Sequence, residues 1–205
     1  MDFLNRSISE FAGQLATSAP VPGGGGASAL AGALAVALGS MVGELTVGKK
    51  KYAAVERDIR ALMVRAETLR QRLLECVEKD AAAFEPLSRA YGIPGDDPAR
   101  PEIMERCLRD AAAAPLEILD LCCEVISMQG DFAAKGSALV RSDAATGAAI
   151  CRGALYGAAV NVKVNTKLME DRTYAERLNE YVDQRVEQFG RLADRIFMDV
   201  YRRYD

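Results

Sequence analysis

The segment Glu78-Lys79-Asp80-Ala81-Ala82-Ala83-Phe84 sets one carboxylate against three alanines and an aromatic ring. Small apolar neighbours that strip water from a carboxylate raise its pKa toward a range useful for proton transfer. The plainer reading of Asp80 is an exposed helix aspartate. A second carboxylate, Asp143, follows Ser142, a good N-cap residue, and fits the opening turn of a helix, where negative charge suits the dipole. Asn161 and Asn165, in Asn-Val-Lys-Val-Asn, are four apart and share a helical face. They read as paired ligand amides or as an interhelical hydrogen-bond pair. Cys122-Cys123 is the remaining nucleophile candidate. With no histidine in the chain to activate a thiol, buried packing is the better reading.

Binding, as distinct from chemistry, is suggested by the stretch Pro20-Val-Pro22-Gly23-Gly24-Gly25-Gly26-Ala-Ser28. A glycine loop entering a helix offers backbone N–H groups and lets a planar ligand approach the main chain. Ordering four glycines costs conformational entropy, so a ligand or steric reason competes with a flexible loop that merely starts a helix. Two nucleotide fingerprints hide nearby, and both fail on context. Gly24–Ala29 fits G-x-G-x-x-A but follows two prolines rather than a strand. Gly43–Lys49 fits G-x-x-x-x-G-K, but Lys50 stands where Ser or Thr would hold magnesium. Gly48-Lys49-Lys50-Lys51-Tyr52 reads as a solvated helix end or, with the glycines, as the anion-facing part of a site for a multi-carboxylate ligand.

The elements that must position these residues are helical. Apolar residues recur at helical spacing along most of the 205 residues, and no alternating strand pattern occurs. The spacing predicts helices over Ile8–Leu15, Ala27 to about Val47, Lys50–Tyr91, Glu102–Met128, Ser142 to about Met169, and Tyr174–Tyr204. Pro86 is expected to kink or divide the third, and Pro115 to kink the fourth. Gly92–Pro101 and Gly130–Asp143 are the expected turn regions. The uncharged run Ala27–Gly43 is 17 residues, at the short limit for a membrane span, so a closely packed core helix is expected. The class is all-α: a single domain, 1–205, of long, partly kinked helices.

Composition narrows the function classes. A net charge of −3 argues against a nucleic-acid binder. Five cysteines without C-x-x-C spacing fit reduced, buried thiols, and no secretory signal follows Met1, so a cytoplasmic protein is expected. The absence of histidine removes the commonest general base and metal ligand. Acid–base work falls to carboxylate, lysine, tyrosine or cysteine, and metal catalysis is not expected.

The stretches PVPGGGGASALAGALAVALGSMV and LTVGKKKY, followed by DAAAF, APLEI, SDAATGAA and GAAVNVKVN, closely resemble the cyclodeaminase/cyclohydrolase family of folate enzymes. The resemblance runs over nearly the whole chain, with the motifs in order. It implies an all-helical, metal-free, usually dimeric protein with the folate site near subunit contacts. It also implies that the acid–base aspartate is Asp80 and that the family's Ser-Asp motif falls on Ser142 and Asp143, the latter a second catalytic candidate. Substrate-binding residues would be Pro22, Gly23, Gly24, Gly25, Gly26 and Ser28 for the pterin or the reacting bridge. Lys49, Lys50, Lys51 and Tyr52 would face glutamate carboxylates, with Ser142, Asn161 and Asn165 as further contacts. Many members carry Gly-Asn where this chain has Gly136-Ser137. That pair, with the NTKLM ending, looks more like the stand-alone cyclohydrolase branch. The implied activity is methenyltetrahydrofolate cyclohydrolase, with formiminotetrahydrofolate cyclodeaminase as the alternative and a silent folate- or partner-binding oligomer as a third reading. No cofactor is expected beside the folate substrate, and the expected partner is a second copy, with no nucleic acid and no membrane.

Overall fold

The computed structural model describes residues 2–204. Six α-helices account for most of them: α1 (Ile8–Leu15), α2 (Gly24–Glu44), α3 (Glu56–Ala90), α4 (Arg100–Lys135), α5 (Arg141–Thr166) and α6 (Arg172–Tyr201). Short 3₁₀ turns at Lys50–Val55, Ala138–Val140 and Arg202–Tyr204 complete the chain, and no strand occurs among the described residues. The helix α1 starts on a capping box in which Ser7 and Glu10 satisfy each other's backbone N–H.

The apolar, glycine-rich α2 is packed among α3, α4 and α5. It is long and apolar enough to cross a membrane, yet 56% of its most apolar window is buried inside the protein, as a core helix requires. Where Gly39 sits, a Cβ would lie 2.8 Å from the Phe132 ring, so the missing side chain is what lets α4 approach. Leu73 of α3 fills the space over Gly32 in the same way. Near the middle of the core, buried Gln129 of α4 donates to the Ala35 carbonyl at 2.5 Å.

These contacts fix the direction of each helix. Asp80 of α3 meets the start of α2, whereas Met63 meets Gly43 near its end, so α3 runs antiparallel to α2. Along α4, Cys122 meets Gly32 and Phe132 meets Gly39, so α4 runs parallel to α2. On α5, Asn161 lies over Gly24, while Ser137, just before the helix, donates its N–H to Thr46 Oγ1 at 2.8 Å. The bundle therefore has two ends. One gathers Gly23–Gly26, Asp80, Ala111, Pro115, Asn161 and Asn165; the other gathers Thr46–Tyr52 and Ser137–Asp143.

Several expected boundaries move. The helix α2 begins at Gly24, so three of the four glycines form its first turn. Pro86 and Pro115 lie inside continuous helices and divide neither. Gly130 is interior to α4, which runs seven residues past the expected end at Met128, to Lys135. The N-cap of α5 is Val140, and Ser142 lies inside the first turn rather than capping it.

Candidate active site

The first turn of α2 presents bare backbone to α3. Asp80 accepts the Gly26 N–H through Oδ2 at 2.9 Å. A Cβ on Gly25 would collide with both carboxylate oxygens, so only glycine lets the carboxylate settle on this helix N-terminus. Burial pushes the Asp80 pKa above its ordinary value, and the Gly26 N–H pulls it partly back. A carboxylate so placed is a stronger base than an ordinary aspartate, which suits a group that takes up a proton and returns it.

Beside Asp80 lies a cavity of about 200 Å³, bounded by Pro20, Val21, Gly23 and Gly24 from the α2 entry and by Phe84 one turn along α3. Ala111 and Pro115 of α4 and Asn161, Val164 and Asn165 of α5 close it. Asp80 is the one titratable side chain in that lining. The Val21–Pro22 peptide bond is cis.

The two asparagines are held differently. Asn161 donates Nδ2 to the Gly157 carbonyl of its own helix at 2.8 Å, and its amide lies over Gly24. Asn165 donates Nδ2 to Asn161 O at 3.0 Å and across the bundle to Ala111 O at 3.1 Å. The second bond has a covalent cause. Ala111 is four residues before Pro115, which has no N–H to give it, so the carbonyl is left for Asn165. Asn165 thus makes the interhelical bond of one reading, and both side chains line the cavity. Asn165 Nδ2 uses both of its N–H groups and Asn161 Nδ2 one of two, and both Oδ1 atoms can act as acceptors.

Other expected site residues are elsewhere. Ser28 is buried and donates to the Gly24 carbonyl at 2.7 Å, which fastens the first turn of α2 rather than facing the cavity. Pro22 is buried and does not line the cavity. Lys49, Lys50, Lys51 and Tyr52 stand past the far end of α2, about 30 Å from Gly24 at 1.5 Å per residue. Ser142 and Asp143 open α5, whose Asn161 reaches the cavity 18 residues later, roughly 27 Å away. Within one chain, then, Asp143 does not join Asp80, and the lysines do not join the glycines. The separation follows from α2 and α5 being unbroken helices. No disulfide or reactive thiol competes: all five cysteines are free and buried, and burial raises Cys123 to about 12. Among the described residues no group of three or more His, Cys, Asp or Glu side chains is placed to hold a metal.

The far end is itself organised. Gly48 adopts a positive φ of 76°, which turns the chain after α2. Tyr52 Oη accepts the Ala138 N–H at 3.0 Å, a bond that pulls its pKa down, and the Lys51 ammonium lies 5.6 Å from its ring centroid. Arg141 sits beside this turn with a buried Nε that has no hydrogen-bond partner among the described residues. The sequence analysis did not assign Arg141, Ala111 or Pro115 to a site, and it named Phe84 only as a neighbour of Asp80. Phe84, one turn from Asp80, was the only one of these carrying a positional signal.

Comparisons with known proteins agree in direction. A family model described as formiminotransferase-cyclodeaminase matches residues 7–184. A methenyltetrahydrofolate cyclohydrolase from Methylorubrum extorquens is 38% identical over 200 residues, covering 96% of each chain. The formimidoyltransferase-cyclodeaminase of Sus scrofa is 25% identical over 189 residues, which are 90% of this chain but 35% of that longer protein. A crystal structure of a formiminotetrahydrofolate cyclodeaminase from Thermotoga maritima superimposes with a TM-score of 0.84 at 25% identity, covering 97% of this chain and 98% of that one.

Proposed function

Since the chain belongs to the formiminotransferase-cyclodeaminase family, we propose that it is a folate one-carbon enzyme, a methenyltetrahydrofolate cyclohydrolase with Asp80 as general acid and base. The observation that carries the chemistry is Asp80 itself, half-buried at the rim of the cavity and held on the Gly26 N–H. The choice of reaction rests on the relative of like length, which is named as a cyclohydrolase.

The substrate, 5,10-methenyltetrahydrofolate, carries an electrophilic amidinium carbon between N5 and N10. Water adds to that carbon while the Asp80 carboxylate takes one of its protons. The adduct collapses by breaking the carbon–N5 bond; Asp80 returns its proton to N5, and the adduct hydroxyl loses its own to solvent. The product is 10-formyltetrahydrofolate. The negative carboxylate also stabilises the cationic bridge before water adds. The Asn161 and Asn165 acceptors suit the N–H edge of a pterin, and the bare backbone at Gly23–Gly24 admits its flat face. Tetrahydrofolate is substrate here, and the reading calls for no cofactor. A homodimer in the cytoplasm, acting on a polyglutamylated folate, completes the reading.

The Thermotoga maritima relative favours one alternative, formiminotetrahydrofolate cyclodeamination, in which N10 attacks the formimino carbon and ammonia leaves. The same carboxylate would serve either reaction. Two assays separate them: loss of the methenyltetrahydrofolate chromophore, and ammonia release from formiminotetrahydrofolate. Hydrolysis without ammonia supports the cyclohydrolase, the reverse supports the cyclodeaminase, and folate binding with neither leaves a silent binding module.

A further inference from the structure

One wall of the Asp80 cavity, Pro20 and Val21, is thinly held. Two prolines leave residues 20–22 a single backbone N–H, that of Val21. Among the described residues, the backbone of this stretch makes one hydrogen bond: the Val21 carbonyl accepts Gln14 Nε2 at 3.0 Å. Pro22 is buried, but the two residues that line the cavity are not, Pro20 being exposed and Val21 half-buried. The position of the wall therefore depends on Gln14, near the end of α1.

Gln14 is itself fixed on both sides. Its Oε1 accepts Arg6 Nη1, which turns Nε2 toward Val21 and decides which way the amide points. Its backbone carbonyl accepts the Thr17 N–H at 3.1 Å and the Thr17 hydroxyl at 2.7 Å, and that hydroxyl oxygen accepts the Ala19 N–H at 3.2 Å. One residue thus anchors the connection from α1 to the cavity at its start, through the carbonyl, and at its end, through the side chain. Arg6 is placed in turn, its guanidinium carbon 5.2 Å from the Phe3 ring centroid. Phe3 is buried and meets Phe11, the one buried residue of α1, edge-on at 6.1 Å. Glu78 of α3, two residues before Asp80, accepts the Phe3 N–H and, at 3.3 Å, the Leu4 N–H. A continuous set of contacts therefore runs from α3 through Phe3, Arg6 and Gln14 to the cavity wall.

We propose that Gln14 is a positioning residue of the Asp80 site, which holds the Pro20–Val21 wall in place for the flat substrate through the Val21 carbonyl. The inference rests on the reading of that cavity as the folate site. Gln14 does not line the cavity, so it acts through Val21 and not by contact with substrate. A wall ordered before the substrate arrives spares binding the entropy of ordering it. Without the Gln14 donor, the substrate must order residues 20–22 itself. The effect belongs in KM and not in kcat. Once bound, the substrate supports the wall, and the Asp80 bond to the Gly26 N–H lies on the first turn of α2, which Gln14 does not touch.

Two substitutions test this by steady-state kinetics. Gln14→Leu removes the donor at similar volume; Gln14→Glu keeps an acceptor for Arg6 but sets an oxygen against the Val21 carbonyl. Each should raise KM for methenyltetrahydrofolate about three- to tenfold, the scale of one hydrogen bond. The kcat should stay within about twofold, and the pH midpoint of kcat should not move. A KM within about 1.5-fold of wild type in both variants, or a loss confined to kcat, overturns the inference, whatever happens to the melting temperature. A second readout needs no turnover. The chain has no tryptophan, and Ser18 is exposed in the connection, so Ser18→Trp reports on that segment alone. Adding Gln14→Leu to Ser18→Trp should enlarge the fast component of the time-resolved fluorescence anisotropy by about twofold. An unchanged decay overturns the inference. A faster decay, in a protein whose wild type hydrolyses no methenyltetrahydrofolate, upholds the hold of Gln14 on the wall and overturns the folate reading alone.

Discussion

The Asp80 carboxylate meets two opposed demands: it is desolvated by its neighbours, yet it rests on a helix N–H that favours its charge. Its folded pKa is raised, so the folded state holds the proton more tightly than the unfolded chain does. Its contribution to stability is therefore most favourable at low pH and is lost as pH rises through the folded pKa. Catalysis has the opposite sign, because proton abstraction needs the carboxylate. The rate should fall as pH drops through a midpoint above the ordinary aspartate value of 3.8; a pH–rate profile of kcat/KM without such an acid limb would contradict the assignment. Gly25→Ala is the matching steric test. Its methyl must displace the carboxylate, and a shift on that scale is expected to lower kcat on the order of 100-fold with the fold intact. An unchanged rate would show that the carboxylate position is unimportant.

The helices determine which residues can meet. Two connections tie elements together in ways that can be measured. The Thr46 Oγ1 atom receives the buried Ser137 N–H at 2.8 Å, which joins the end of α2 to the approach to α5. Thr46→Val leaves that donor unpaired and should cost about 1–3 kcal/mol in denaturant unfolding. A loss well under that would mean water reaches the site. Asn165→Leu orphans the Ala111 carbonyl freed by Pro115 and is expected to cost a similar 1–3 kcal/mol while also weakening folate binding. Helical periodicity made these elements legible, and α1 was read with its observed bounds. The ends were not legible, for local reasons. Glycines that look like loop can form a first turn when a neighbouring carboxylate takes one of their N–H groups, as Asp80 does at Gly26. Pro115 looks like a break but is tolerated because Asn165 satisfies the carbonyl it frees. In the site, Asp80, the glycines and the asparagines were visible as sequence patterns. Their separation from Lys49–Tyr52 and Asp143 was not, because motif order does not say which end of a 21-residue helix a motif occupies.

For the whole molecule, the antiparallel course of α2 and α3 puts Asp80 at one end of the bundle and the Lys49–Tyr52 turn at the other. The central claim is that Asp80 moves the proton in hydrolysis of the methenyl bridge. Asp80→Asn preserves shape and can still accept the Gly26 N–H, so stopped-flow loss of the methenyltetrahydrofolate chromophore at saturating substrate tests it most directly. The account predicts a kcat lowered by about 10²–10⁴-fold, a near-normal dissociation constant, and a melting temperature equal to or above wild type at neutral pH. A variant that hydrolyses the bridge at the wild-type rate would contradict it.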